Sequence, residues 1–291
     1  MTLRIGIIGA ENSHALRYAT AFNVEKAIPG MRVDYIWGER PEFAEKVARV
    51  GQVPHIVKRP RQMLAAVDAV IVDHRHPKPH LSVALPFVER GVPAFIDKPF
   101  CYRVAEGRDF LRIARKRKTP VTSFSILPDQ RSFRRFKKSL AGAGKTLAGA
   151  LYGPCDIRSE YGGVFFYGIH QVAMALEAFG YNVGSTLVAK SGGDATGQLI
   201  YPDGLVVTLN FIRSGCKGFH ITAVGEKRSM HKALARDADP FSASLKKIAA
   251  MFKTGKEPET HERLLAPIAV LEALGKSVKS GRVAKVARIT L

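Results

Sequence analysis

Short apolar runs punctuate the first 125 positions, and each ends in a polar turn that opens into an amphipathic stretch. Leu3–Ile8, Met31–Trp37, Asp68–Val72, Ala94–Ile96 and Val121–Ser125 are the runs; a brief one lies near Val53–Val57. Continuous apolar residues of this length read as strands covered on both faces, the condition of a parallel sheet. Helical spacing fills the intervals at Ala15–Lys26, Pro41–Val50, Arg61–Ala66, Leu81–Arg90 and Ala105–Lys118. Strand and helix in strict alternation predict a doubly wound parallel sheet.

The rhythm changes after Leu127. A basic amphipathic helix over Asp129–Leu140 leads to a strand near Thr146–Tyr152, and Tyr161–Tyr167 opens a helix over Gly168–Phe179. Strands follow at Ser185–Lys190, Thr196–Tyr201, Val206–Ile212 and Gly218–Val224, with Pro202-Asp203-Gly204 as a hairpin turn. Helices over Pro240–Phe252 and His261–Lys279 close the chain. The fold class is therefore α/β: an N-terminal Rossmann-like doubly wound sheet (1–125) and a C-terminal α+β domain with a mostly antiparallel sheet (126–291).

Candidate chemistry sits where strands end. In an open parallel sheet the carboxyl edge is the crevice that takes ligands. The first strand carries Gly6 and Gly9 and runs into Glu11, Asn12, Ser13 and His14, a glycine turn before a helix whose backbone N–H groups would cradle a pyrophosphate. Gly9 matches the first glycine of a dinucleotide fingerprint, whereas Glu11 and His14 replace the second and third, and a carboxylate at 11 opposes a phosphate. Asn12 or Ser13 would cap the helix. Past the second strand Gly38 stands at the usual acidic position, with Glu39 and Arg40 just beyond; this turn either meets the adenine ribose or a 2′-phosphate or is an ordinary strand-to-helix turn capped before Pro41. The loop after the fourth strand holds His74, His76 and His80; a metal site would need further ligands nearby, and a polar loop lining the crevice is the preferred reading. The run Ala94–Ile96 delivers Asp97 and Lys98 to the same edge, and Pro99 stops the strand there. A lysine so placed can donate to a substrate oxygen.

Composition narrows the classes. The chain has 291 residues, 46% hydrophobic and 24% charged, as in a globular protein of about two domains. No apolar run reaches membrane-spanning length and no signal sequence precedes the first strand, so a cytoplasmic protein without a membrane partner is expected. Three scattered cysteines indicate neither a disulfide framework nor a structural metal. Forty-five basic residues against 25 acidic ones give a formal charge of +20. The clusters at 112–118 and 131–138 read as solvated helix faces, and without a nucleic-acid motif no nucleic-acid partner is expected; the same field would attract an anionic cofactor or substrate.

In the order of these elements the chain resembles the Gfo/Idh/MocA oxidoreductase family over nearly its whole length. Asp97-Lys98-Pro99 is similar to the family's Glu-Lys-Pro, and His80 to the histidine closing its Thr-Pro-Asn-x-x-His loop. Gly162-Gly163, Gly168 and His170 resemble the lead into its substrate-domain helix, with Phe166 in place of the family's aspartate. The resemblance implies NAD or NADP as cofactor, held around Gly6, Gly9, Glu11–His14, Glu39, Arg40, His76, His80 and Asp97. It further implies hydride transfer with a hydroxyl-bearing carbon of a sugar- or cyclitol-like molecule, and a homo-dimer or tetramer. Lys98 would hold the substrate oxygen and His170 exchange its proton. With Phe166 unable to orient the imidazole, Glu160 and Tyr161 are the substitutes to expect. The alternative is a non-catalytic relative that kept the scaffold as a ligand-binding or structural protein.

Overall fold

Strand β1 (Leu3–Ile8) buries four consecutive residues, Ile5 to Ile8, as a strand flanked by neighbours and covered by helices must. Residues 2–290 are described in the computed structural model. β1 pairs in parallel with β2 (Met31–Trp37) on one side and β4 (Ala69–Val72) on the other. β3 (His55–Ile56), β5 (Ala94–Ile96) and β6 (Val121–Thr122) complete a six-stranded parallel sheet in the order β3-β2-β1-β4-β5-β6. The order reverses between β1 and β4, so the crevice lies beyond their carboxyl ends. Helices α1 (Ser13–Ala19), α2 (Pro41–Gly51), α3 (His80–Val88) and α4 (Val104–Arg117) connect the strands.

The second sheet has seven strands: β7 (Thr146–Pro154), β8 (Ser185–Ser191), β9 (Asp194–Ile200), β10 (Val206–Ile212), β11 (Phe219–Gly225), β12 (Ser229–Leu234) and β13 (Ala284–Lys285). β7 and β10 run parallel; every other neighbouring pair is antiparallel. The inward residues, Leu151, Val207, Leu209, Phe211 and Ile221, pack beneath α6 (Gly168–Phe179) and α8 (His261–Ser280). Outward positions alternate with them and leave Tyr152, Val206 and Val224 exposed. α5 (Arg131–Leu140) joins the sheets, and α7 (Ser242–Thr254) crosses back to the first one. There Leu245, Ile248, Met251 and Phe252 share a core with Ile5, Ile7, Tyr18 and Phe95. Among the described residues no helix is long and apolar enough to cross a membrane.

Four local expectations change. Residues 61–66 form only a 3₁₀ turn, Pro60–Met63, too short a segment to repay helix nucleation. The helix expected over Ala15–Lys26 begins at Ser13, and its last turns, Thr20–Val24, widen to the π form. β6 stops at Thr122, and Ser123–Ser125 turn instead toward the second half. β12 and β13 had no apolar signal because both are largely exposed edge strands.

Candidate active site

Gly9 ends β1 with φ +103°, and a Cβ there would lie 2.7 Å from the carbonyl carbon of Asp73. The turns after β1 and β4 therefore touch, which only glycine permits. Asn12 caps α1: its Oδ1 accepts from His14 N–H at 3.5 Å, while its Nδ2 donates to Asp73 Oδ1 at 2.8 Å. The backbone N–H groups of Ala10 and Glu11 both donate to Glu39 Oε2, at 2.9 and 3.0 Å. Those of Asn12 and Ser13, at the start of α1, have no partner among the described residues. The carboxylate of Glu11 is drawn away from them, because its Oε1 accepts from the Tyr161 hydroxyl at 2.8 Å. The Arg75 guanidinium lies over the Tyr161 ring, 5.3 Å from its centroid.

The crevice floor is a buried carboxyl pair. Asp97 Oδ1 accepts from Tyr18 Oη at 3.3 Å, and Oδ2 faces His14 Nδ1 at 3.1 Å, Asn12 Nδ2 at 3.4 Å and Lys98 Nζ at 3.6 Å. Burial raises the Asp97 pKa, but His14 and Lys98 outweigh it and hold the group below the usual carboxylate range, as an anion. Asp73 lies beside it; burial first, and the Asp97 charge second, hold the Asp73 pKa well above the usual range. Burial and the Asp97 charge thus favour the protonated form of Asp73. Such an acid costs nothing below its unfolded pKa, about 3.9, and costs more as pH rises toward its folded one. Asp73→Asn keeps the shape and puts a neutral amide beside Asp97. It should raise Tm at pH 8 by about 2–4 °C per kcal/mol recovered, with the gain vanishing near pH 4; thermal melts across pH read this, and an unchanged or lower Tm at pH 8 would refute it.

His14, Asp73 and Asp97 offer atoms within 4.8 Å of one another, the one metal-capable group among the described residues. The Lys98 ammonium and the Asn12 amide N–H groups already face those carboxyl oxygens. The loop histidines form no ligand set. His80 is buried, with Nδ1 on Pro99 O (2.9 Å) and Nε2 on His74 O (3.0 Å), so it clips together the turns after β4 and β5. His76 packs edge-on against Tyr102.

Lys98, 12% exposed, stands at the end of β5. His170 is the third residue of α6 and is buried; Lys98, His14, Asp97 and Arg236 are the charged groups facing it. Burial, followed by the Lys98 and His14 charges, pushes its pKa well below 6.5. Its Nδ1 lies 2.8 Å from Ser125 Oγ, which also accepts from Leu127 N–H at 3.3 Å. Ser125 thus orients the imidazole, not Glu160 or Tyr161. Tyr161 is spent on Glu11, and Glu160 lines a separate hollow beside Arg103. Phe166 packs tilted against Tyr161 and edge-on to Tyr167. A serine past the last strand of the parallel sheet was the available signal for Ser125. Of the other residues read from the sequence, Gly6 sits inside β1 against Met63 and Val67, and Arg40 points to solvent, 71% exposed, near Glu42.

Lys98 thus shares a cavity with Ser125, the partner of the His170 imidazole, and Asp97 beside it faces Asn12 at the start of α1. Residues 3–124 match the Gfo/Idh/MocA model, an oxidoreductase family with an NAD-binding Rossmann fold. No curated protein matches the sequence. Solved structures with the same fold include scyllo-inositol dehydrogenase from Lactobacillus casei with bound NAD(H) and scyllo-inositol, at TM-score 0.86 and 14% identity, covering 99% of this chain and 100% of that one. Myo-inositol 2-dehydrogenase from Lactobacillus plantarum is similar at TM-score 0.84 and 16% identity, again over 99% and 100% of the two chains.

Proposed function

We propose, on the premise that residues 3–124 belong to the Gfo/Idh/MocA family of NAD-binding oxidoreductases, that this protein moves a hydride between nicotinamide and a hydroxyl-bearing carbon of a polyol-like molecule. The observation that carries this reading is that Lys98 and Ser125 line one cavity and Ser125 Oγ lies 2.8 Å from Nδ1 of His170, which brings a group from each half of the chain to one place. The cradle fits a dinucleotide. Asn12 and Ser13 offer free N–H groups at a helix start for the pyrophosphate, and Glu11 is held aside on Tyr161. Glu39, fixed against the glycine turn, would take the ribose hydroxyls and repel a 2′-phosphate, while Arg40 faces away; NAD is preferred over NADP. Bound NAD supplies the hydride acceptor.

The chain's own residues handle the oxygen and its proton. Lys98 donates to the reacting oxygen, and anionic Asp97 holds that ammonium in place. In the tautomer whose Nδ1–H donates to Ser125, His170 presents the Nε2 lone pair as base for the hydroxyl proton. Its lowered pKa keeps it neutral, and so ready to accept, at pH 7. We assign the homo-oligomer contact to the outward face of the second sheet, around Tyr152, Val206 and Val224.

Thermal melts with NAD(H) and NADP(H), combined with a polyol screen for hydride transfer, test the reading. Saturating NAD(H) should raise Tm, at about 2.7 kcal/mol for a hundredfold excess over Kd, and Glu39→Ala should weaken NAD(H) more than NADP(H). No shift with any of the four at millimolar concentration would argue against the enzyme, whereas hydride transfer that disappears in Lys98→Ala would dispose of the alternative, a scaffold without redox chemistry that Glu11, Gly38 and Phe166 favour.

A further inference from the structure

We propose that the substrate is a small hydroxylated carboxylate, such as a sugar acid, whose acidic arm lies in the cavity bounded by α5, α6, α7 and α8; this rests on the oxidoreductase reading above. The cavity holds about 290 Å³ and has Lys98 and Ser125 in its wall, so it joins the ammonium and the residue that orients His170. That volume is at the lower end of small-ligand pockets and suits a single ring or a short chain. Phe124, Phe133 and Ile169 supply an apolar side for a carbon skeleton, and Ser123 and Tyr181 add hydroxyls.

Charge decides the class of ligand. Arg134 and Lys247 share one oxygen of Asp129, at 3.0 and 2.7 Å. Lys137 and Arg263 share Glu177, and Arg263 also reaches Glu259 at 3.4 Å. Three acids thus face four cations in the wall, and Lys98 adds a fifth that Asp97 already partners, which leaves one cation in excess. Asp129 and Glu177 each already serve two cations, and Glu259 shares Arg263 with Glu177, so the wall keeps a positive charge that a neutral cyclitol would leave unanswered. A carboxylate in the cavity would complete the network through charge-assisted hydrogen bonds, and the chain's overall charge of +20 would steer such an anion inward.

Titration calorimetry of the NAD-loaded protein with D-gluconate and D-glucuronate, against D-glucose and myo-inositol, tests this. The acids should bind at least about tenfold more tightly than the neutral compounds, and their affinity alone should fall as salt is raised. Arg134→Gln, which removes one of the cavity's cations, should weaken the acids more than the neutral compounds and so erase most of that preference. Equal or tighter binding of the neutral compounds overturns the inference, as does acid binding indifferent to salt and to Arg134→Gln. NAD stabilisation without acid binding overturns it while the oxidoreductase reading stands. If NAD and all four compounds fail, both fall.

Discussion

Lys98→Met should lower kcat for hydride transfer by roughly 10²- to 10⁴-fold, the scale of a lost proton donor, with NAD(H) binding nearly unchanged. The substitution keeps the stem that packs at the end of β5 and removes only the ammonium. Asp97 then loses one of the donors on Oδ2 but retains His14 and Asn12, so the fold should survive with a small fall in Tm. Steady-state kinetics and a cofactor melt on the same preparation separate the two effects. Activity within about threefold of the parent would remove Lys98 from the chemistry, since that is under 1 kcal/mol of barrier.

His170→Asn should have a comparable effect on oxidation, and it carries a distinct pH signature. Burial holds the folded-state pKa of His170 well below 6.5, so the imidazole remains a competent base throughout neutral pH. The acidic limb that His170 contributes to kcat/KM belongs below pH 6.5, and the asparagine variant should lack it. Stability follows the same sign. A histidine with a depressed folded pKa contributes stability that is present above pH 6.5 and is lost as pH falls from there toward the folded value. His74, pushed down to about 3 by burial and His80, behaves alike. His170→Asn should therefore flatten part of the decline in Tm between pH 6.5 and 4. An unaltered acid limb would assign the proton transfer to another group.

How much of this was legible before the fold was known differs from element to element. The buried strands announced themselves, since Ile5–Ile8 and Ala69–Val72 can be little else than strands covered on both faces. Lys98 and His170 were legible through their place at a strand end and a helix start. The partners of those groups were not. Ser125 lies 45 positions from His170, and Tyr161 lies 150 from Glu11; spacing within a segment carries no information about either pair. Asp73 read as an ordinary loop acid because its preference for the protonated form comes from burial against Asp97, a property of the packed state. Glu11 looked hostile to a phosphate for the opposite reason, since nothing local indicated that a tyrosine from the second half would draw it off.

Helix α7 has a consequence for any attempt to divide the molecule. Its Leu245, Ile248, Met251 and Phe252 complete one wall of the core around Ile5, Tyr18 and Phe95, although they lie more than a hundred positions beyond the last strand of that sheet. A fragment ending near 125 would expose this apolar wall to water and would be sticky rather than a free-standing nucleotide binder. The late helix acts as a strap, so the nucleotide half becomes watertight only after the ribosome has made most of the protein.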